Sequence, residues 1–293
     1  MTQAPRLTLI AGPTASGKSG LALEMAERTG AVIINADSQQ LYADLRILSA
    51  RPGPEDEARA EHRLYGVVDA AESWSVGRWT RAIMPLLDEL AAQGRPALLV
   101  GGTGLYFNAL TRGLADIPAV PDTLRDTVQT AYDAEGEGAF RRHLAELDPI
   151  AAAAITPGDR QRLIRAFSVA RHTGRRLSEW TADTRPLLTP DAWTGLVLEP
   201  ERERLYRSCD QRVIQMVEQG ALDEVRSLTG RNLNPDLPAM KAVGVREMIA
   251  HLAGRSTLDE AIRQTQQATR NYAKRQLTWF RNQTPDWPRV DRA

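Results

Sequence analysis

Apolar residues repeat along the chain in two ways. Unbroken runs at residues 7–11 (LTLIA), 31–35 (AVIIN), 97–100 (ALLV) and 194–198 (TGLVL) have the length of strands buried on both faces. Elsewhere apolar side chains recur every three to four positions. Leu21, Ala22, Met25 and Ala26 form one such set, and Trp79, Ile83, Leu86, Leu87 and Leu90, within 76–93, form another. That spacing predicts helices. Strands alternating with helices predict an α/β fold, a parallel sheet flanked by helices. A further helix is expected from about residue 39. Residues 50–60, with Pro52, Gly53 and Pro54, read as a loop.

The alternation stops near Pro118. From there to Pro190 the pattern is helical at 124–132, 140–147 and 160–171, without a strand. This predicts an all-helical insertion domain at 119–190, inside a core domain made of 1–118 and 191–293. Helices are expected again at about 201–219, 222–228, 243–252 and 258–282. In the last, at about 100° per residue, Arg263, Arg270, Lys274 and Arg281 fall within about 20° of one line. Leu258, Ile262, Tyr272, Trp279 and Phe280 lie opposite. Such a cationic stripe is either a solvated helix face or a contact for phosphates.

Composition narrows the class. The 293 residues can bury a large core, and no apolar run reaches the length of a membrane span. The first residues lack the layout of a secretory signal, so a cytoplasmic protein without membrane attachment is expected. The single cysteine, Cys209, excludes an internal disulfide, and the four histidines show no metal-ligand spacing. The net charge is zero, which by itself speaks against a nucleic-acid partner. The charge is uneven, however: residues 159–185 hold seven arginines against three acids, and 241–292 hold ten basic residues against five acidic ones. Only three lysines occur, Lys18, Lys241 and Lys274.

The candidate chemistry starts at Gly12-Pro13-Thr14-Ala15-Ser16-Gly17-Lys18-Ser19, a G-x-x-x-x-G-K-S run between a strand and a helix. This is the pattern of a phosphate loop: backbone amides, the Lys18 charge and a helix N-terminus cradle a di- or triphosphate, and Ser19 holds its Mg²⁺. Asp37 ends the second strand, where it is either a helix cap or a catalytic carboxylate. The third strand ends in Gly101-Gly102-Thr103, without the acidic residue that supports Mg²⁺ in many P-loop hydrolases. That points away from an ATP-driven motor and toward a transferase that holds a phosphorylated donor. In a parallel sheet all three features lie beyond the carboxyl ends of the strands and face one crevice.

Six segments in order, GPTASGKS (12–19), DSQQLY (37–42), GGTGLYF (101–107), QRLIRA (161–166), KAVGVRE (241–247) and KRQLTWFR (274–281), resemble the tRNA dimethylallyltransferases. The resemblance implies a P-loop NTPase-like core. It also implies transfer of a dimethylallyl group from dimethylallyl diphosphate to the exocyclic amine of the adenosine 3′ to the anticodon. Residues 12–19 with Arg212 would bind the diphosphate, and Mg²⁺ would be the cofactor. Asp37 would be the general base for a poorly nucleophilic amine, and Thr103 would orient the amine or the diphosphate. The tRNA anticodon stem-loop would meet Asp37, Ser38, Gln39 and Gln40 at the flipped base. Arg125, Gln161, Arg162, Leu163, Ile164 and Arg165 would contact it from the insertion, and Lys241, Arg246, Lys274, Arg275 and Arg281 from the C-terminal helices. A monomer is expected.

Three stretches depart from the family pattern. Ser49-Ala50-Arg51-Pro52 stands for Thr-Ala-Lys-Pro, His62-Arg63 for a histidine pair, and Ser208 for an arginine that Arg207 either replaces or does not. Rival readings are an adenylate isopentenyltransferase acting on free AMP, a nucleoside-monophosphate kinase and a non-enzymatic RNA-binding nucleotide switch.

Overall fold

A computed structural model of the chain describes residues 7–291. Its centre is one parallel sheet of six strands: β1 (Leu7–Ala11), β2 (Val32–Asn35), β3 (His62–Arg63), β4 (Ala97–Gly101), β5 (Trp193–Leu198) and β6 (Arg289–Val290). Their order is β3-β2-β4-β1-β5-β6. The α/β expectation holds. The two edge strands escaped the sequence reading because two residues carry no period. Pairing of Ala11 with both Gly101 and Val197, and of Asn35 with Val100, ends the inner strands at one level.

Successive side chains go to opposite faces, so each face has its own core. Ile10, Ile33, Leu98 and Val100 pack with Ala22, Leu23 and Ala26 of α1 (Lys18–Thr29). Leu9, Ile34 and Leu99 face the larger core. On that side lie Trp79 and Ile83 of α3 (Val76–Ala92) and Tyr106 and Phe107 of α4 (Gly104–Thr111). Between β2 and α3 runs α2 (Pro54–Arg59), where a loop was expected. Pro54 takes the first helical position, which needs no N–H, and the Asp56 carboxylate accepts the Gly53 N–H at 3.1 Å.

The helix expected from residue 39 does not form. Leu41, Tyr42, Leu45 and Leu48 are buried at helix-like spacing, but on a chain of turns. Other partners take the backbone bonds a helix would need. Asp37 Oδ1 accepts the Gln39 N–H at 3.0 Å, Ala43 N–H donates to the Val68 carbonyl, and Glu224 accepts the N–H groups of Arg46, Ile47 and Leu48.

The chain divides into two compact units. One is residues Arg112–Leu187, and the other is the rest. The first contains α5 (Asp122–Leu147), kinked at Gly136, then α6 (Pro149–Ala154), α7 (Arg160–Thr173) and α8 (Leu177–Ala182). Its core is Val128, Phe140, Leu144, Leu163 and Ala166. Its ends meet where Gly113, with φ +96°, lies against the Arg185 backbone, only 2.2 Å from where a β-carbon would sit. This compact unit spans 112–187, where the prolines suggested 119–190.

The other unit resumes after β5 with α9 (Arg202–Glu218), α10 (Ala221–Gly230), α11 (Val245–Leu252) and α12 (Leu258–Gln283). Among the described residues, no helix is long and apolar enough to cross a membrane.

Candidate active site at the carboxyl ends of the strands

The phosphate loop leaves β1 and turns into α1 through left-handed residues, Ala15 at φ 62° and Gly17 at φ 86°. No side chain caps α1, which leaves its first-turn N–H groups for an anion. Lys18 Nζ donates to the Pro13 carbonyl at 2.5 Å. Burial pushes its ammonium down to about 7, Asp37 opposes that shift, and Arg212 adds to it. Arg212, from α9, donates to Thr14 Oγ1 at 3.3 Å; burial likewise lowers its pKa. Ser16 Oγ is buried without a protein partner, and Ser19 is exposed.

Asp37 and Thr103 follow the ends of adjacent strands, β2 and β4. Asn35 fixes the first turn: its side chain accepts the Asp37 N–H at 2.7 Å and donates to the carbonyls of Asp37 and Leu64. Asn35 is fully buried, and its own carbonyl accepts the Trp79 indole N–H. Thr103 Oγ1 accepts the Ser38 N–H at 2.9 Å and donates to Ser38 Oγ at 3.3 Å. Its hydroxyl therefore ties the two strand ends together.

Thr14, Asp37, Gln39 and Arg212 line one cleft. The same cleft has an apolar and hydroxyl-bearing side made by Leu48, Val213, Met216, Ala242, Val243, Thr265, Thr269 and Tyr272. Gln39 Oε1 is buried without a partner. Gln40 is already engaged, because its amide donates to the carbonyls of Ser49 and Ala50 at 3.0 and 2.9 Å. Its N–H groups thereby hold the loop at 49–50.

Two residues that the sequence reading missed shape this cleft. Glu224 on α10 accepts three backbone N–H groups, at 2.7, 2.7 and 2.9 Å, and so fixes the segment leading to Leu48 and Ser49. Gln276, in the KRQLTWFR segment of α12, is 6% exposed. It accepts the Thr14 N–H at 2.8 Å and donates to the Gly102 carbonyl at 2.9 Å. The Gly-Gly-Thr-Gly turn is thereby explained. A β-carbon on Gly102 would lie 2.1 Å from Gln276 Nε2, and one on Gly104 would lie 2.1 Å from the Trp279 ring. An otherwise polar helix gives little pattern from which these contacts could be read.

The remaining expected contact residues divide into free and engaged ones. Arg162 and Gln161 of α7 are exposed. Arg165 has its pKa lowered by burial and by the charge of Arg125, so these two cations neighbour each other. Arg125 is also paired with Asp122. Leu163 is fully buried in the helical core and Ile164 packs against it. The Leu163 side chain thus packs in the helical core, within the 161–165 segment expected to meet tRNA.

Lys274 and Arg275 are exposed, the latter with its guanidinium 5.7 Å from the Tyr272 ring centroid. Arg281 pairs with Glu199 at 2.6 Å, Arg270 with Asp210, and Lys241 with Asp236 at 2.9 Å, while Arg246 is exposed. The stripe on α12 is thus partly neutralised within the chain. Arg207 is exposed, about 140° round α9 from Arg212, and so lies on a different face of the helix. Cys209 is buried against Leu205, Ala273 and Leu277, and burial raises its thiol to about 11.

A profile described as IPP transferase matches residues 40–283, and one described as isopentenyl transferase matches residues 5–72. The chain belongs to the IPP transferase family. A tRNA dimethylallyltransferase of Caulobacter sp. (strain K31) is 58% identical, over 98% of this chain and 93% of that one. Another from Phenylobacterium zucineum (strain HLK1) is 56% identical, over 98% and 92%. Among solved structures, the tRNA isopentenylpyrophosphate transferase of Bacillus halodurans has 36% identity and a TM-score of 0.68, over 97% of this chain and 89% of that one. A eukaryotic dimethylallyltransferase captured acting on tRNA has 25% identity and a TM-score of 0.83, over 97% and 73%. The family resemblance and the fold read from the sequence are both borne out.

Proposed function

We propose that this chain transfers the dimethylallyl group of dimethylallyl diphosphate to the exocyclic amine of the adenosine 3′ to the anticodon in tRNA. The observation that carries this reading is the cleft itself: Thr14 of the phosphate loop and Arg212 line it together with the Asp37 carboxylate and with apolar residues such as Leu48, Val213 and Met216. In this family, such a cleft suits an allylic diphosphate and a base.

The loop amides, Lys18 and Arg212 receive the diphosphate and stabilise the charge that grows on it. The allylic C1–O bond breaks, the C1–N bond to the adenine amine forms, and the amine's proton passes to the Asp37 carboxylate. Diphosphate leaves. Thr103 positions Ser38 and the Asp37 turn, acting through them. Gln39 offers its unpaired acceptor to the adenine edge once the base is turned out of its stack.

A divalent ion fits this site. The orphaned Ser16 hydroxyl and exposed Ser19 supply oxygen donors, and no group of three His, Cys, Asp or Glu side chains competes for the metal among the described residues. Mg²⁺ held by Ser19 and phosphate oxygens would supply charge neutralisation to the leaving group. Residues 112–187, with exposed Gln161 and Arg162 and the cations Arg125 and Arg165, serve as the insertion that contacts tRNA. Lys241, Arg246, Lys274, Arg275 and Arg281 add phosphate contacts from the other unit, three of them free of ion pairs. The enzyme acts in the cytoplasm as a monomer.

The test is incubation with Mg²⁺ and labelled dimethylallyl diphosphate, offering either unmodified tRNA or AMP. Label in tRNA alone is expected; label in AMP would favour the adenylate transferase reading.

A further inference from the structure

We infer that Gln276 is a positioning residue for the diphosphate site: its side-chain amide sets the phosphate loop against the strand end that precedes Thr103. The inference rests on the phosphate-loop reading of the cleft, and it assigns a role to a residue outside the loop and outside the RNA-facing positions of α12. Backbone pairing between β1 and β4 stops at Ala11 with Gly101. Beyond that register the two chains diverge, one into the phosphate loop and one into the Gly-Gly-Thr turn. Gln276 bridges the gap, with the Thr14 N–H on its oxygen at 2.8 Å and the Gly102 carbonyl on its nitrogen at 2.9 Å.

The amide orientation is dictated by chemistry: Thr14 N–H can only donate and the Gly102 carbonyl can only accept. An ionised glutamate, a methionine or a reversed amide cannot serve both. The site is buried, so an unmade bond there is not replaced freely by water. It also sits beside the reacting groups. The point at which a Gly102 β-carbon would lie is 2.1 Å from Gln276 Nε2 and 3.2 Å from Asp37 Oδ2, and Thr14 Oγ1 accepts from Arg212. Movement of Gln276 thus displaces the loop residue that meets Arg212 and the turn that faces Asp37.

The test measures binding of inorganic diphosphate with Mg²⁺ by calorimetry, and transfer kinetics, for wild type, Gln276→Met and Gln276→Glu. Diphosphate binding needs no transfer, so a wild type that binds it but alkylates nothing would defeat the proposed reaction and leave this inference standing. Gln276→Met is expected to bind diphosphate about tenfold more weakly and to raise the donor KM in step, with tRNA affinity unchanged. Gln276→Glu carries the diagnostic readout. As a carboxylate it can accept from Thr14 but repels the Gly102 carbonyl, whereas protonated it restores the donor. Its deficit relative to wild type is therefore expected to shrink as the pH falls from about 8 to about 5.5. A folded Gln276→Met with wild-type diphosphate affinity, or a Gln276→Glu deficit that does not change with pH, would overturn the inference. If Gln276→Met fails to fold, Gln276→Glu decides alone through its pH profile.

Discussion

Lys18 is held near neutrality by burial, against the pull of Asp37. A bound diphosphate favours its charged form, so above about pH 7 binding takes up a proton, and affinity falls as the pH rises by up to about tenfold per unit. Calorimetry in buffers of different ionisation enthalpy at pH 8 should show that uptake in wild type and lack it in Lys18→Met. Asp37→Asn should lower turnover by about 10²–10⁴-fold while tRNA affinity, measured by filter binding, stays near wild type. Near-normal turnover would remove Asp37 from proton transfer. At this scale the sequence was informative where chemistry needs a rare pattern, as at Gly12–Ser19 and Asp37. It was silent on Asn35, Glu224 and Gln276, whose partners are backbone groups tens to hundreds of residues away. It did not show that the Leu163 side chain is buried or that Gln40 is held by backbone carbonyls, because a motif does not say which of its side chains face inward.

Strands and long helices were legible because burial imposes a period. The segment at 39–49 misled because its apolar spacing is helical while its amide partners are Glu224, Asp37 and Val68. Glu224→Ala leaves three backbone N–H groups without their acceptor and should cost about 2–3 kcal/mol in urea unfolding. Because Leu48 and Ser49 line the cleft, the donor KM should rise as well. Gly102→Ala forces a β-carbon against Gln276 and should destabilise the fold by about 1–3 kcal/mol, seen as a lower Tm. On α12, Arg270 is spent on Asp210, whereas Lys274 is exposed. Lys274→Gln should therefore reduce the slope of log affinity for tRNA against log salt by about 0.7–0.9, and Arg270→Gln should leave it nearly unchanged.

At the scale of the whole chain, a zero net charge conceals two stretches with an excess of basic residues, 159–185 and 241–292. Composition therefore argued against RNA while the order of the motifs argued for it, and family membership agrees with the motifs. The division of the chain was visible as a stretch without strands, but its boundary was not. The compact unit runs from Arg112 to Leu187, with Gly113 and Arg185 close together near its two ends. The central claim is that the phosphate loop holds a leaving diphosphate. It is tested most directly by a single-turnover reaction with labelled dimethylallyl diphosphate, Mg²⁺ and unmodified tRNA, without ATP, in which diphosphate release and tRNA alkylation are both counted. One diphosphate released per group transferred, on the adenosine 3′ to the anticodon, is the predicted result. Transfer that requires ATP hydrolysis, or diphosphate release without alkylated tRNA, would contradict it.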